Sequence, residues 1–329
     1  MKTLITGAGG FLGRAIVRQL MDRGDQVRGF ARGQYDELAS FGVQMIRGDV
    51  RDAAAVARAC VGMDVVFHTA AVAGIWGKWD HFHGINTLGT QNVIEGCRQA
   101  GVGKLVFTSS PSVTFDGTDQ IRVDESALYP QKWMCHYPHT KALAEQSVLA
   151  ANTDALQTCA LRPHLIWGPG DQHLIPRLLR RARSGRLRRV GDGSNLVDII
   201  YIDNAAEAHL MAADRLSPTS PVAGRAYFLS QGEPVNCWHW IDEILVLAGL
   251  PPLSKAISLR SARRVGAAME WVHGLLRLQS EPPMTRFLAA QLGTSHYFDI
   301  QRARRDLAYE PSVSTDEGMR RLGLELQAI

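Results

Sequence analysis

Tyr137 and Lys141 stand four residues apart in Tyr137-Pro138-His139-Thr140-Lys141. On a helix that spacing puts a phenol and an ammonium on one face. A free phenol ionises at about pH 10, and a neighbouring cation favours its phenolate form. The pair reads as proton-exchanging machinery, with Tyr137 as general acid/base and Lys141 lowering its pKa. Upstream, Thr108-Ser109-Ser110 ends the β-type run Leu105-Val106-Phe107-Thr108. A serine there can hydrogen-bond a reacting carbonyl. The plainer alternative for Ser110 is a strand-end serine that caps backbone.

A second constellation lies near the start. Gly7-Ala8-Gly9-Gly10-Phe11-Leu12-Gly13 follows the short run Leu4-Ile5-Thr6 and opens the amphipathic stretch Leu12 to Arg23. Strand, glycine loop and helix in that order let backbone amides and the helix N-terminus approach a pyrophosphate. About 20 residues past such a loop, an NAD site places an acid on the ribose 2′-hydroxyl. Here the chain reads Phe30-Ala31-Arg32, and Arg14 stands beside the loop. A cation there suits a 2′-phosphate, so NADP(H) is the expected cofactor, with NAD(H) as the alternative.

These groups need a scaffold. Leu4 to Thr6, Val27 to Ala31, Val43 to Arg47, Asp64 to His68 and Leu105 to Thr108 alternate with helical patterns. That alternation predicts an α/β fold, a doubly wound parallel sheet of the Rossmann kind. With about 150 residues per domain, the 329 residues divide into roughly two. The expected division is a dinucleotide-binding domain over 1–165, with later returns near 195–230, and a smaller, mostly helical substrate-binding domain over 166–329. Pro251-Pro252 and Pro282-Pro283 interrupt the second half.

Composition narrows the function classes. With 46% hydrophobic and 21% charged residues the chain is ordinary globular protein, neither disordered nor fibrous. A net charge of +4 gives no argument for nucleic acid. No apolar run reaches the roughly 18 residues of a membrane span. Glycines interrupt what would be the apolar core of a signal peptide, so nothing is expected to be cleaved. Cys60, Cys97, Cys135, Cys159 and Cys237 are odd in number and widely spaced, which fits reduced thiols and a cytoplasmic location. The close pairs His81/His83 and His136/His139 lack a third ligand, so no metal is expected.

Gly7, Gly10 and Gly13 with Ser110, Tyr137 and Lys141 resemble an extended short-chain dehydrogenase/reductase over nearly the whole chain. His68-Thr69-Ala70-Ala71 resembles that family's turn beside the cofactor. Gly48-Asp49-Val50 resembles its adenine contact, and Asn86 its structural asparagine opening a helix. Leu161-Arg162-Pro163 with Trp167-Gly168-Pro169-Gly170-Asp171 resembles a further family segment, with Trp where Tyr is common. The resemblance implies that Tyr137 is the acid/base, Ser110 orients the substrate oxygen, and Lys141 holds the nicotinamide ribose. It also implies that Gly7, Gly9, Gly10, Phe11, Leu12, Gly13, Arg32, Asp49, Val50, Ala70, Ala71 and Pro163 contact the cofactor.

Trp76-Gly77, Tyr201-Ile202-Asp203-Asn204 and Ser295-His296-Tyr297-Phe298-Asp299 resemble the 3β-hydroxysteroid dehydrogenase/isomerase branch. Within it the likeness is to bacterial reductases of olefin biosynthesis. That implies NADPH-dependent reduction of the ketone of an apolar 3-oxo substrate, a 2-alkyl-3-oxoalkanoic acid going to the 3-hydroxy acid. One alternative is a 3β-hydroxysteroid dehydrogenase, decarboxylating or isomerising. Others are a sugar-nucleotide epimerase or dehydratase with tightly held NAD, and a redox-sensing regulator without turnover. Trp76, Trp79, Trp133, Met134 and Trp167 are expected to border an apolar pocket, and His136 adjoins Tyr137, so Trp76, Trp133, His136 and Trp167 are candidate substrate contacts.

Two stretches stand apart. Seven arginines between Arg177 and Arg189 read first as a solvated face; a carboxylate anchor or a contact with an acidic partner is the sharper option. Arg260, Arg263 and Arg264 precede Val265, Ala268, Met269, Val272, Leu275 and Leu276 at helical spacing. These read first as a buried domain helix, and second as a helix on a membrane surface or over a lipid entrance. The segments beginning near Asn86 and Tyr137 resemble the family's dimerising pair, which implies a homodimer. A pathway-enzyme contact is a further expected partner.

Overall fold

A computed structural model of the protein describes residues 1–327. Seven strands form one parallel sheet: β1 (Lys2–Thr6), β2 (Gln26–Ala31), β3 (Gln44–Arg47), β4 (Val65–His68), β5 (Lys104–Thr108), β6 (Gln157–Pro163) and β7 (Arg225–Leu229). Their spatial order is β3-β2-β1-β4-β5-β6-β7. β4, β6 and most of β1 are buried throughout, as continuous apolar strands covered on both faces must be. The strand order reverses between β1 and β4. In such sheets the crevice beyond the strand C-termini at that reversal is where a ligand fits.

Helices cover both faces. On one lie α1 (Phe11–Asp22) and a helix over Ile202–Arg215; α1 buries Leu12, Ala15, Ile16, Val17 and Leu20 at helical spacing. The other face carries α2 (Ala53–Cys60), α3 (Gly89–Ala100) and α4 (His136–Ala150). Asn86 does not open a helix as expected. It sits in a π-helical turn, His83–Leu88, inside a run that starts at Trp79 and continues into α3. The reason is its amide. Asn86 Oδ1 accepts from Val72 N (2.8 Å), and its Nδ2 donates to Val72 O (3.2 Å) and Thr140 Oγ1 (3.1 Å). Those bonds join the turn after β4 to α4 instead of capping the asparagine's own helix. Single π turns of this kind collect at functional sites.

Later segments come back to the first half of the chain. A small sheet brings together Gln120–Val123, His296–Phe298, Leu196–Val197 and Val235–Asn236 in mixed directions. Asp119 Oδ1 accepts from Ser295 N (2.7 Å) at its edge. The segment leading to α4 is thus held by chain that lies far beyond it in sequence. The helix α5 (Leu259–Leu275) buries only Ala262 and Gly266, so the expectation of a buried domain helix is corrected. A single narrow contact explains this: a Cβ on Gly266 would stand 2.6 Å from the Thr285 carbonyl carbon, so only this strip meets the neighbouring backbone.

Candidate active site

The glycine loop and α1 form one end of the site. Gly7 has φ of +76°, and a Cβ there would stand 2.8 Å from Ala70 N. A Cβ on Gly13 would stand 2.2 Å from Gly7 O. Only hydrogen fits either place, and the loop is drawn tight under the helix N-terminus. Gly10 is the N-cap and no acid stands in the first turn of α1, so no carboxylate there competes with an anion for the first-turn amides.

Gly7, Gly9, Gly10, Ala31, Arg32, Asp49, Val50, Ala70 and Ala71 line one groove of about 530 Å³. All of these but Ala31 are cofactor-contact candidates, and although spread from the loop after β1 to the turn after β4 they meet in one place. Phe11 and Leu12 begin α1 beside the groove, and Leu12 is buried. Pro163 closes β6, paired with Leu229. Asp49 is gripped by Arg51 through Nε (3.0 Å) and Nη2 (2.7 Å), which holds its carboxyl below the ordinary value.

The two arginines near the loop differ. Arg14 donates to Gly9 O (3.0 Å) and pairs with Glu37, so its charge is already met. Arg32 makes no ion pair among the described residues and lines the groove. Tyr35, which the sequence reading passed over, packs its ring against Gly9 with the Arg14 guanidinium 5.5 Å from the ring centre.

The turn at Ala70 and Ala71 is fixed by a buried relay. Thr90 gives its hydroxyl proton to Asn86 O (2.6 Å), so it accepts from His68 Nε2 (2.9 Å). His68 Nδ1 then accepts from the Thr6 hydroxyl (2.6 Å), and Ala70 N reaches Thr6 Oγ1 at 3.4 Å. Burial, with Lys141 nearby, pushes His68 down to about 3, so the ring stays neutral and the relay keeps its direction.

Tyr137 and Lys141 share the first turns of α4, as their spacing requires. Lys141 Nζ donates to Thr108 O (2.5 Å) and lies 4.0 Å from the Phe107 ring centre. Burial pushes its ammonium down to about 7, against the pull of Glu145. Tyr137 moves opposite to expectation. Burial raises its phenol, and the opposing influence is the Ser110 hydroxyl, not the lysine. The acidified phenol expected from the pair is corrected: desolvation is the largest influence on the ring, and Lys141 is not among the groups that offset it. Ser110 Oγ meanwhile shares a proton with Ser112 Oγ (2.8 Å) and accepts from Ser112 N (3.2 Å). The plainer capping role and proximity to Tyr137 therefore coexist in one residue.

Glu145 continues the same helix face one turn beyond Lys141. It accepts from Arg162 Nε (2.9 Å), Arg162 Nη2 (2.6 Å) and the Tyr129 hydroxyl (2.7 Å). Burial opposes its charge, but the arginine's two bonds prevail and the carboxyl stays below its ordinary value. This buried fork fastens α4 to β6. Only its four-residue spacing from Lys141 could have flagged it.

A cleft of about 500 Å³ is lined by Ile75, Trp76, Phe82, Met134, His136 and Trp271, among others; Cys135 and His136, which directly precede Tyr137, are on its wall. Trp76 and His136 thus share the wall of one cleft. Trp133 does not: it stacks on His139 at 4.9 Å outside the cleft. Nor does Trp167, which is fully buried against Tyr201 and Trp240. Both expectations are corrected. A two-residue strand after β6, Ile166–Trp167, pairs with Ile200–Tyr201 and points its large ring into the core, where the rings of Tyr201 and Trp240 receive it.

A parallel sheet reversing at a glycine loop, with tyrosine and lysine on one helix turn beside it, defines an extended short-chain dehydrogenase/reductase. The profile of the "3-beta hydroxysteroid dehydrogenase/isomerase family" matches residues 4–259. A 2-alkyl-3-oxoalkanoate reductase from Stenotrophomonas maltophilia is 53% identical over 98% of both chains. A human decarboxylating sterol-4-alpha-carboxylate 3-dehydrogenase is 34% identical over 96% of this chain and 86% of its own. Among solved structures, MoeE5 in complex with UDP-glucose and NAD has a TM-score of 0.76 at 25% identity, covering 100% of this chain and 99% of its own. The chain belongs to the 3β-hydroxysteroid dehydrogenase/isomerase family and is an oxidoreductase of the NAD(P)-dependent kind.

Proposed function

We propose that this enzyme reduces the ketone of a 2-alkyl-3-oxoalkanoic acid to the 3-hydroxy acid, with NADPH as its preferred cofactor. The observation that carries the reading is end-to-end likeness to a reductase of that substrate, at 53% identity. The aromatic and aliphatic residues lining the cleft that reaches Cys135 and His136, just before Tyr137, support it, since alkyl chains need such a wall and a sugar nucleotide needs polar partners.

The groove fits a dinucleotide: Gly7, Gly9 and Gly10 line it without side chains of their own, and Arg32 stands on its wall as a cation without an ion pair among the described residues. The amides of Gly9, Phe11 and Leu12 would hold the pyrophosphate, since that of Gly10 is spent on Gly7 O, and Arg32 would hold the 2′-phosphate. When bound, NADPH supplies the hydride. Tyr137 gives its proton to the ketone oxygen. Its raised pKa keeps the hydroxyl protonated at neutral pH, which suits the reductive direction. Ser110 steadies that oxygen beside the phenol. Lys141 stands one turn on, close to neutrality in its proton affinity, and so can hand a proton onward.

The test is NADPH oxidation with long-chain 2-alkyl-3-oxo acids, 3-oxo sterols and UDP-sugars. Turnover confined to the keto acids is expected. Preference for a sterol would shift the reading to a steroid dehydrogenase, and no net oxidation with UDP-sugar conversion would replace it with an epimerase. Arg32→Asp is expected to weaken NADPH binding by an order of magnitude or more while sparing NADH, as binding isotherms for both would show. An unchanged ratio removes the NADP argument.

We further infer a cytoplasmic homodimer. α3 and α4 lie side by side with Gln91, Glu95, Arg98 and Ser147 on their shared outer groove, a surface on which a second copy can pair.

A further inference from the structure

We propose that the end of α5 and the arginine bank beside it dock this enzyme on an anionic lipid bilayer, placing the mouth of the substrate cleft at the membrane surface.

One helix divides two grooves. Ala267, Glu270 and Trp271 of α5 line the cleft that Trp76 and His136 also line. Val265 and Met269, on another stripe, line a second groove of about 940 Å³. Arg177, Arg180, Arg181, Arg186 and Arg188 surround that second groove over a floor that includes Met284 and Leu292. Arg177 pairs with Glu281. The other four make no ion pair among the described residues. Burial and the neighbouring Arg177 push Arg181 below its ordinary value, with Glu281 opposing. Such a cluster repels itself until an anion joins it.

Between the grooves the helix ends in an exposed apolar ridge. Trp271 is 68% exposed, Leu275 65% and Leu276 61%, and Val272 and Leu278 are exposed as well. Arg260, Arg264 and Arg277 stand exposed on the same segment. Glu270 is taken by Arg286, through Nε at 2.6 Å. The ridge is tied to the cleft rim: Trp76 Nε1 donates to Leu278 O (3.2 Å), and its ring meets His273 edge-on at 6.0 Å.

An apolar ridge flanked by unpaired arginines is the arrangement that inserts at an interface while its cations meet phosphate headgroups. Charge complementarity selects an anionic bilayer over a neutral one. The ridge requires more than charge, which argues against a merely acidic surface. An alkyl substrate dissolved in that bilayer then reaches the cleft without crossing water. This last step rests on the proposed apolar substrate; vesicle binding does not, so the two can fail separately.

The experiment is co-sedimentation of the full chain with vesicles of phosphatidylcholine alone, and with part of it replaced by phosphatidylglycerol. Binding to the anionic vesicles only is expected, weakening as salt rises. Each of Arg180→Gln, Arg186→Gln and Arg188→Gln is expected to reduce partition about fivefold. Leu275→Asp with Leu276→Asp is expected to bring binding down to the neutral-vesicle background, with turnover of a short, water-soluble keto acid unchanged. Equal binding to both vesicle types overturns the proposal. So does anionic binding that survives the two leucine changes, which would mark a charge-only contact such as an acidic protein makes. So does absence of vesicle binding, and if self-association is also lost in the leucine variant, a second copy covers the ridge.

Discussion

A phenol held protonated is a proton donor waiting for an alkoxide. Tyr137 is pushed up by burial, so its role at neutral pH is to give rather than to take. Tyr137→Phe is expected to lower kcat by at least about a hundredfold while NADPH binding, read by fluorescence titration, stays intact. Lys141 has the opposite liability. Its ammonium falls from an ordinary 10.5 to about 7 on burial. Between those values the unfolded chain holds more protons than the folded one, so stability of the cofactor-free protein rises as pH increases from about 7 toward 10. Lys141→Met removes that dependence and keeps the contact with Phe107. The variant is expected to melt higher than the parent near pH 7 by calorimetry, with the gap closing toward pH 10, and to lose turnover. A gap that does not change with pH would refute the buried cation as its cause. The spacing of Tyr137 and Lys141 was legible in sequence; the direction of the tyrosine shift was not, because desolvation depends on what the fold piles above the ring.

Elements place these residues through buried cross-braces. Glu145 and Arg162 lock α4 to β6, and Asn86 locks the Ala70 turn to α4. The strand pattern and the glycine loop could be read from local periodicity. The Glu145–Arg162 fork could not, since nothing local says which buried charges will face each other. Trp167 shows the converse error. A tryptophan near a cofactor motif reads as a pocket wall, yet the pairing of Ile166–Trp167 with Ile200–Tyr201 sets it inward against Tyr201 and Trp240. Trp167→Ala is expected to cost about 3–5 kcal/mol in urea unfolding and to leave KM near the parent value. Trp76→Ala is expected to do the reverse, raising KM for the long-chain substrate with little loss of stability. Were the two effects exchanged, the assignment of core and cleft would be wrong.

At the scale of the molecule, sequence order and spatial order diverge most in the second half. The doubly wound sheet was foreseeable because every neighbouring pair in it except β1 and β4 is consecutive among the sheet's strands. The small sheet was not: His296–Phe298 pairs with Gln120–Val123 across most of the chain, and two-residue partners such as Leu196–Val197 leave almost no periodic trace. That pairing has a consequence for how the enzyme is born. Chain up to Ala100 already contains the whole glycine cradle, but the segment entering α4 has no edge partner until His296 has cleared the ribosome. Stalled nascent chains of increasing length are expected to capture immobilised dinucleotide well before any of them turns over substrate. Synthesis itself would then time the onset of activity, since the reactive tyrosine settles only when translation is nearly finished.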